Sequence, residues 1–213
     1  MSRIIDPGLE EQSVLIMRMG ELTYETLALS IQGYLKGKSV QEEVREMSDM
    51  LVAMADKIED KSFELIARFQ PVATDLRTIK SYMKIGNDFV RFGRYALDIS
   101  FINEKLNGLK ECDTWCKDDI EEMSEKVLYS VRISIDSLRK HDITLAKSIS
   151  QTEREVDKMY FVFLQKLIGS EDNNKCVISS VLMTRYLERI ADHATYICES
   201  IVYIVTGEKI SLG

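Results

Sequence analysis

The sequence contains few of the residues that interrupt helices. Only two prolines and ten glycines occur in 213 residues. Because proline ends or kinks a helix and glycine weakens it, this scarcity predicts long helices joined by few turns. The sequence also lacks any run of about 18 apolar residues, which a membrane-spanning helix would need. We therefore expect a helical protein without a transmembrane segment.

Positive charge is also scarce, since the formal net charge is −7 at pH 7. A nucleic-acid-binding surface uses lysine and arginine to neutralise phosphates, so this balance disfavours a nucleic-acid partner. The first residues, MSRIIDPGLEEQ, have neither the basic start nor the apolar core of a secretory signal. A composition of 45% hydrophobic and 30% charged residues is ordinary for a globular protein. We expect a cytoplasmic globular protein.

The four cysteines do not complete a recognisable zinc motif. Cys112 and Cys116 have a C-x3-C spacing, but no second pair of cysteines or histidines accompanies them. We interpret this pair as reduced thiols in a linker. Cys176 and Cys198 stand alone among helix-forming residues and are interpreted as small buried hydrophobic side chains.

Apolar residues recur with helical spacing along nearly the whole chain. Pro71 predicts a break between the second and third helices, and the predicted N-caps of the fifth and sixth are Asp142 and either Asn173 or Asn174. The pattern predicts helices at residues 8–37, 40–69, 72–103, 118–140, 142–169 and 174–206. The sixth carries a narrow apolar seam, typical of a helical bundle, formed by Met183, Leu187, Ile190, Ala194, Ile197, Ile201 and Ile204.

The two halves of the chain resemble each other. RMGELTYETLALSIQGYLK at 18–36 aligns with EMSEKVLYSVRISIDSLRK at 122–140, and the segment at 84–99 aligns with LMTRYLERIADHATYI at 182–197. Long helices joined by short turns run antiparallel to their neighbours. The repeat therefore predicts an all-α fold of two tandem three-helix bundles with six long antiparallel helices, in domains 8–104 and 117–207.

Two pairs of acidic residues flank the apolar seams of the second half. Glu188 and Asp192 lie four residues apart on the sixth helix, and Glu153 and Asp157 do so on the fifth. Residues at this spacing share a helix face, so antiparallel packing would bring the two pairs together. Four carboxylates at one place repel one another unless a multivalent cation bridges them. All-oxygen ligation suits hard ions such as Fe, Mn, Mg or Ca.

The aligned positions of the first half have lost most of these acids. Asp49 aligns with Glu153, whereas Ala53, Val90 and Arg94 align with the other three acids. Acids beside an apolar stripe are more commonly solvated and paired with basic residues of their own helix. A cation site dismantled in one half explains why the acids are replaced together, with Arg94 supplying a fixed positive charge. We predict one site, in the second half.

Two other functions remain open, and so does the role of His193. A di-metal carboxylate enzyme of the ferritin type would carry Glu-x-x-His, which neither Glu153 nor Glu188 begins. His193, beside Asp192, is either a ligand, a donor to a ligand or, more commonly for such a position, a half-exposed flank residue. A glycine-rich phosphate loop and a Ser-His-Asp set are not visible, which disfavours an enzyme. A metal-free interaction scaffold with an acidic surface is the remaining alternative.

Two motifs resemble the PhoU family of phosphate-uptake regulators. RYLERIADHATYICESIVYIVTGE at 185–208 is similar to that family's last-helix pattern, LERIGDHA-xx-IAE. RFQPVATDLRTIKSYMKIGND at 68–88 matches its QPVA-x-DLR segment, and the MG at 19–20 fits its first helix. The resemblance implies two tandem three-helix domains and a role in restraining phosphate uptake and its response genes. Together with the absence of visible catalytic motifs, it leads us to expect a non-enzymatic adaptor that binds a phosphate ABC transporter or a membrane sensor kinase.

The same resemblance implies a metal centre. The family's E/D-x3-D motifs hold iron or zinc clusters at the bundle surface, and the matching residues here are Glu153, Asp157, Glu188 and Asp192. The first half departs from the pattern, because FVRFGR at 89–94 stands where LERIGD is expected. The family resemblance also implies self-association into a homo-oligomer.

Overall fold

The computed structural model describes residues 3–110, 112–169 and 174–213. Within these ranges the chain forms six α-helices and no strand, which confirms the predicted all-α class. The helices are α1 (Asp6–Lys36), α2 (Gln41–Phe69), α3 (Ala73–Leu106), α4 (Thr114–Lys140), α5 (Ile143–Ile168) and α6 (Asn174–Thr206). Their ends differ from the predicted ones by a few residues. None of these helices is both long and apolar enough to cross a membrane.

Helix boundaries follow the local sequence signals. The Asp142 side chain accepts a hydrogen bond from the backbone N–H of Leu145 at 3.0 Å, which confirms it as the N-cap of α5. Asn174 is the first residue of α6, and the alternative N-cap, Asn173, lies outside the described residues. α1 ends at Gly37, whose φ of 62° is the left-handed conformation that glycine adopts without strain.

The predicted seam of α6 faces the core. All seven of its residues are buried, and they belong to one hydrophobic core that runs through both halves of the molecule. In each half three consecutive helices pack on one another, as α1, α2 and α3 do in the first and α4, α5 and α6 in the second. The packing confirms the tandem helical bundles, while the exact domain limits of 8–104 and 117–207 stay a prediction.

The two halves meet where α3 packs on α6 and α1 packs on α4. Gly20 of α1 lies at this junction, because a Cβ atom there would stand 3.2 Å from Cζ of Phe89 and 3.4 Å from Cγ1 of Ile135. The first distance is tighter than ordinary van der Waals contact, so a larger side chain would require the ring of Phe89 to shift by a few tenths of an ångström. The absence of a side chain at Gly20 therefore suits the close packing of α1 on α3 and α4.

The prediction for the linker cysteines is wrong. Cys112, between α3 and α4, forms a disulfide with Cys176 of α6, and their Cα atoms are 5.3 Å apart. Cys116 lies within α4 instead of the linker. Cys176 is buried as expected, but it serves as a crosslink besides filling space. The partners are 64 residues apart, so local spacing could not reveal the pair.

Candidate metal centre

Packing of α5 on α6 brings the acids of the second half together. Glu153, Asp157 and Asp192 each place one carboxylate oxygen within 4.8 Å of the others. Glu153 is 8% exposed, and Asp157 and Asp192 are half-buried. With Glu188, which lies one turn before Asp192 on α6, these residues are called the carboxylate cluster.

Glu188 contributes an oxygen that no described residue satisfies. Its Oε1 accepts a hydrogen bond from Nη1 of Arg185 at 2.6 Å, whereas its Oε2 is buried and has no hydrogen-bond partner among the described side chains and backbone. A buried polar atom without a partner costs free energy. A cation bound beside this oxygen would satisfy it, so the donor set fits a hard ion.

The pKa values of these acids are raised, as expected for several negative charges close together. Burial raises the pKa of Glu153 above its usual range, and repulsion from Asp157 and Asp192 raises this pKa further. Burial also raises the pKa of Glu188, with repulsion from Asp192 as a further cause, and burial is the main cause of the raised pKa of Asp192. Each of these three carboxyls therefore gives up its proton less readily than it would in water.

Basic residues of α6 offset part of this negative charge. Arg189 pairs with Asp192 at 3.3 Å, and Arg185 pairs with Glu188. Both are pairs within one helix whose arginine side chains are partly exposed, so each stabilises the fold only modestly. The pairs leave the Glu188 Oε2 atom without a donor.

The segment after α6 also reaches the carboxylate cluster, a contact that was not predicted from the sequence. The backbone N–H of Leu212 donates to Oε1 of Glu199 at 3.0 Å. A side-chain carbon built on Gly213 would lie 3.1 Å from Oε1 of Glu153, so this end of the chain covers part of the cluster. Ile210 and Leu212 pack against the core, and their alternation in KISLG was the available signal.

His193 has a different role from the half-exposed one that we expected. It is 8% exposed, and its Nδ1 lies 2.8 Å from Oδ1 of Asp88 on α3. Its Nε2 lies 3.4 Å from the hydroxyl of Tyr95, also on α3. His193 therefore joins the two halves and lies outside the group of closely spaced acids. Asp88, a single acid on the buried face of α3, was not predicted.

The equivalent positions of the first half do not gather ligands. Asp49, Ala53 and Arg94 are exposed and Val90 is half-buried. In the part of the chain that the structure describes, the groups of three or more closely spaced ligating residues are a set of three acids (Glu153, Asp157 and Asp192), which Glu188 does not join, and a set of three cysteines. The restriction of a carboxylate site to the second half stays a prediction that agrees with this distribution.

The fold and the acidic flank define a class of protein, the tandem helical bundle with paired E/D-x3-D positions. The family model of the PhoU domain matches residues 16–102 and 120–201. The chain is 31% identical to a phosphate-specific transport system accessory protein PhoU homolog of Clostridium acetobutylicum, over 99% of this chain and 98% of the relative. A homolog of the same name from Synechocystis is 29% identical, over 91% of this chain and 88% of the relative.

Solved structures agree with the sequence match. The crystal structure of PhoU from Pseudomonas aeruginosa has a TM-score of 0.90 to this chain at 27% identity, and the match covers 96% of this chain and 100% of that one. The chain belongs to the PhoU family.

Proposed function

We propose that the protein is a cytoplasmic, non-enzymatic regulator of phosphate uptake that acts as an adaptor on a phosphate ABC transporter. The observation that carries this proposal is the family match across both halves, together with relatives named as accessory proteins of phosphate-specific transport. A membrane-bound sensor kinase is the second candidate partner, which the family resemblance implies.

The carboxylate cluster would hold the cation of this regulator. Glu153, Asp157 and Asp192 would supply the converging oxygens, and Glu188 would add its unpartnered Oε2. The family resemblance implies iron or zinc, and all-oxygen ligation also admits other hard divalent ions. When bound, the ion would neutralise the acids and crosslink α5 to α6, so it would serve structure and recognition instead of catalysis.

The adaptor role is tested by binding to membranes. Untagged protein is mixed with vesicles prepared from cells that contain the phosphate transporter and with matched vesicles from cells that lack it. We expect the protein to sediment mainly with the first set. Equal recovery from both sets would refute the transporter as partner, and a third preparation containing the sensor kinase without the transporter tests the second candidate.

A metal-free scaffold is supported by the arginine pairs on α6, which already offset part of the negative charge. The same sedimentation assay, repeated after chelation, separates the two proposals. Full binding after loss of the metal would favour the scaffold, whereas reduced binding that the ion restores would favour the metal-bearing adaptor.

The family resemblance also implies a homo-oligomer, and light scattering of the purified protein tests this.

A further inference from the structure

Three buried cysteines meet at the point where the two halves of the chain are joined. Cys112 lies between α3 and α4, Cys116 lies in α4, and Cys176 lies near the start of α6. Their sulfur atoms are all within 4.8 Å of one another, and the residues are 8%, 0% and 2% exposed. We call them the sulfur cluster. The carboxylate cluster does not use these residues.

Buried hydrogen bonds connect the same segments as the disulfide does. The hydroxyl of Ser179, one turn after Cys176, donates to the backbone carbonyl of Gly108 at 3.1 Å. The hydroxyl of Tyr34 on α1 lies 2.8 Å from Oγ of Ser179. These buried hydrogen bonds connect α1, the linker and α6, so the three sulfurs should stay close together after reduction.

Reduction would convert the sulfur cluster into a set of metal ligands. A dithiol reductant transfers two electrons and two protons to the Cys112–Cys176 disulfide and becomes a cyclic disulfide itself, which leaves two thiols beside Cys116. Reducing compartments such as the cytoplasm keep protein thiols in this state. A zinc ion lies about 2.3 Å from each thiolate sulfur, so sulfurs that share one ion are at most about 4.6 Å apart. On reduction the bonded sulfurs of Cys112 and Cys176 must separate, and Cys116, already within 4.8 Å of both, needs only a small side-chain movement to share one ion with them.

We propose that the reduced protein binds one soft, thiolate-seeking cation, of the class of Zn²⁺ and Cu⁺, at Cys112, Cys116 and Cys176, and that the Cys112–Cys176 disulfide is the oxidised state that closes this site. Binding releases the protons of the thiols that coordinate the ion. Among the described residues the group contains no fourth cysteine, histidine or carboxylate. Three sulfurs suit trigonal Cu⁺, or Zn²⁺ with one open position.

The two clusters would select different ions, because carboxylate oxygens prefer hard cations and thiolates prefer soft ones. A bound soft ion would tie the linker to α4 and α6, at the junction of the two halves. The inference stands on the sulfur geometry and does not depend on the proposed role in phosphate uptake.

The test uses the full chain after reduction with dithiothreitol and removal of the reductant without oxygen. Cd²⁺ is the first probe, because its thiolate complexes absorb in the ultraviolet and its carboxylate complexes do not, and Cu⁺ competing with a chromophoric chelator is the second. We expect saturation at one ion per chain and an affinity lowered by about tenfold or more in Cys116→Ser. Cys198→Ser is the matched control, since Cys198 is buried in α6 but lies outside the sulfur cluster.

Unreduced wild-type protein should bind neither probe at these sulfurs. A reduced wild-type protein that gives no thiolate absorption with Cd²⁺ and takes up no Cu⁺ would overturn the inference, as would a Cys116→Ser variant that binds as tightly as wild type. If Cys116→Ser does not fold, the site is tested instead by alkylating the thiols of the reduced wild-type protein with and without Zn²⁺. Zn²⁺ should then protect three of the four cysteines in the reduced protein, and equal alkylation with and without Zn²⁺ would refute the site.

Discussion

Neutralising Glu188 tests whether its unpartnered oxygen is a cation ligand. Glutamine keeps the size of the side chain but removes its negative charge. In the wild type, Oε1 pairs with Arg185 at 2.6 Å while Oε2 is buried without a partner. The variant Glu188→Gln therefore removes one candidate ligand and little packing.

The expected magnitudes separate structure from metal binding. Two unit charges about 5 Å apart interact by about 3 kcal/mol at an effective dielectric constant of about 20. Burial and repulsion from Asp192 disfavour the charged form of Glu188, whereas Arg185 and Arg189 favour it. These effects oppose each other, so the variant should change metal-free stability by less than about 2 kcal/mol. A cation at about 100 times its Kd stabilises the folded protein by about 2.7 kcal/mol. For a chain of this size that gain raises Tm by about 5–10 °C.

Calorimetry of chelated protein with and without Mn²⁺ measures both the metal-free stability and the rise in Tm that the ion causes. Wild type should show the full rise in Tm, and Glu188→Gln should lose most of it. Asp49→Asn is the matched control, because Asp49 is the exposed first-half counterpart of Glu153 and should leave the rise unchanged. An equal rise in Glu188→Gln and wild type would refute the assignment of Oε2 as a ligand.

Three further outcomes are expected. The pKa of Glu153 is higher in the folded protein than in the unfolded chain, so its ionised carboxylate destabilises the metal-free fold at neutral pH. This destabilisation should disappear as the pH falls through the raised pKa and below the ordinary carboxyl range. Denaturant titrations across pH would detect the change, and constant metal-free stability from pH 7 to mild acid would contradict it. His193→Gln should lower the free energy of unfolding by about 1–3 kcal/mol, because it disrupts the buried hydrogen bond to Asp88, and unchanged urea unfolding would contradict this. Leu187→Ala, in the fully buried seam of α6, should cost about 2–5 kcal/mol in the same measurement, and a loss below 1 kcal/mol would show that the seam repacks.

The helices and the acidic flank could be predicted because both depend on local spacing. Scarce breakers and a regular apolar period locate α1 to α6, and the four-residue spacing of Glu188 and Asp192 fixes their common face. The sequence could not show contacts that no helical period or repeat marks. The Cys112–Cys176 disulfide joins residues 64 apart, and nothing in their local spacing marks them as partners.

The most direct test of the central claim, that the carboxylate cluster holds a cation, is anomalous diffraction from crystals of this protein grown with Mn²⁺. The account predicts a peak about 2.0–2.6 Å from carboxylate oxygens of Glu153, Asp157 and Asp192, with Oε2 of Glu188 turned towards it. Crystals saturated with Mn²⁺ that show no peak between these side chains would contradict the account.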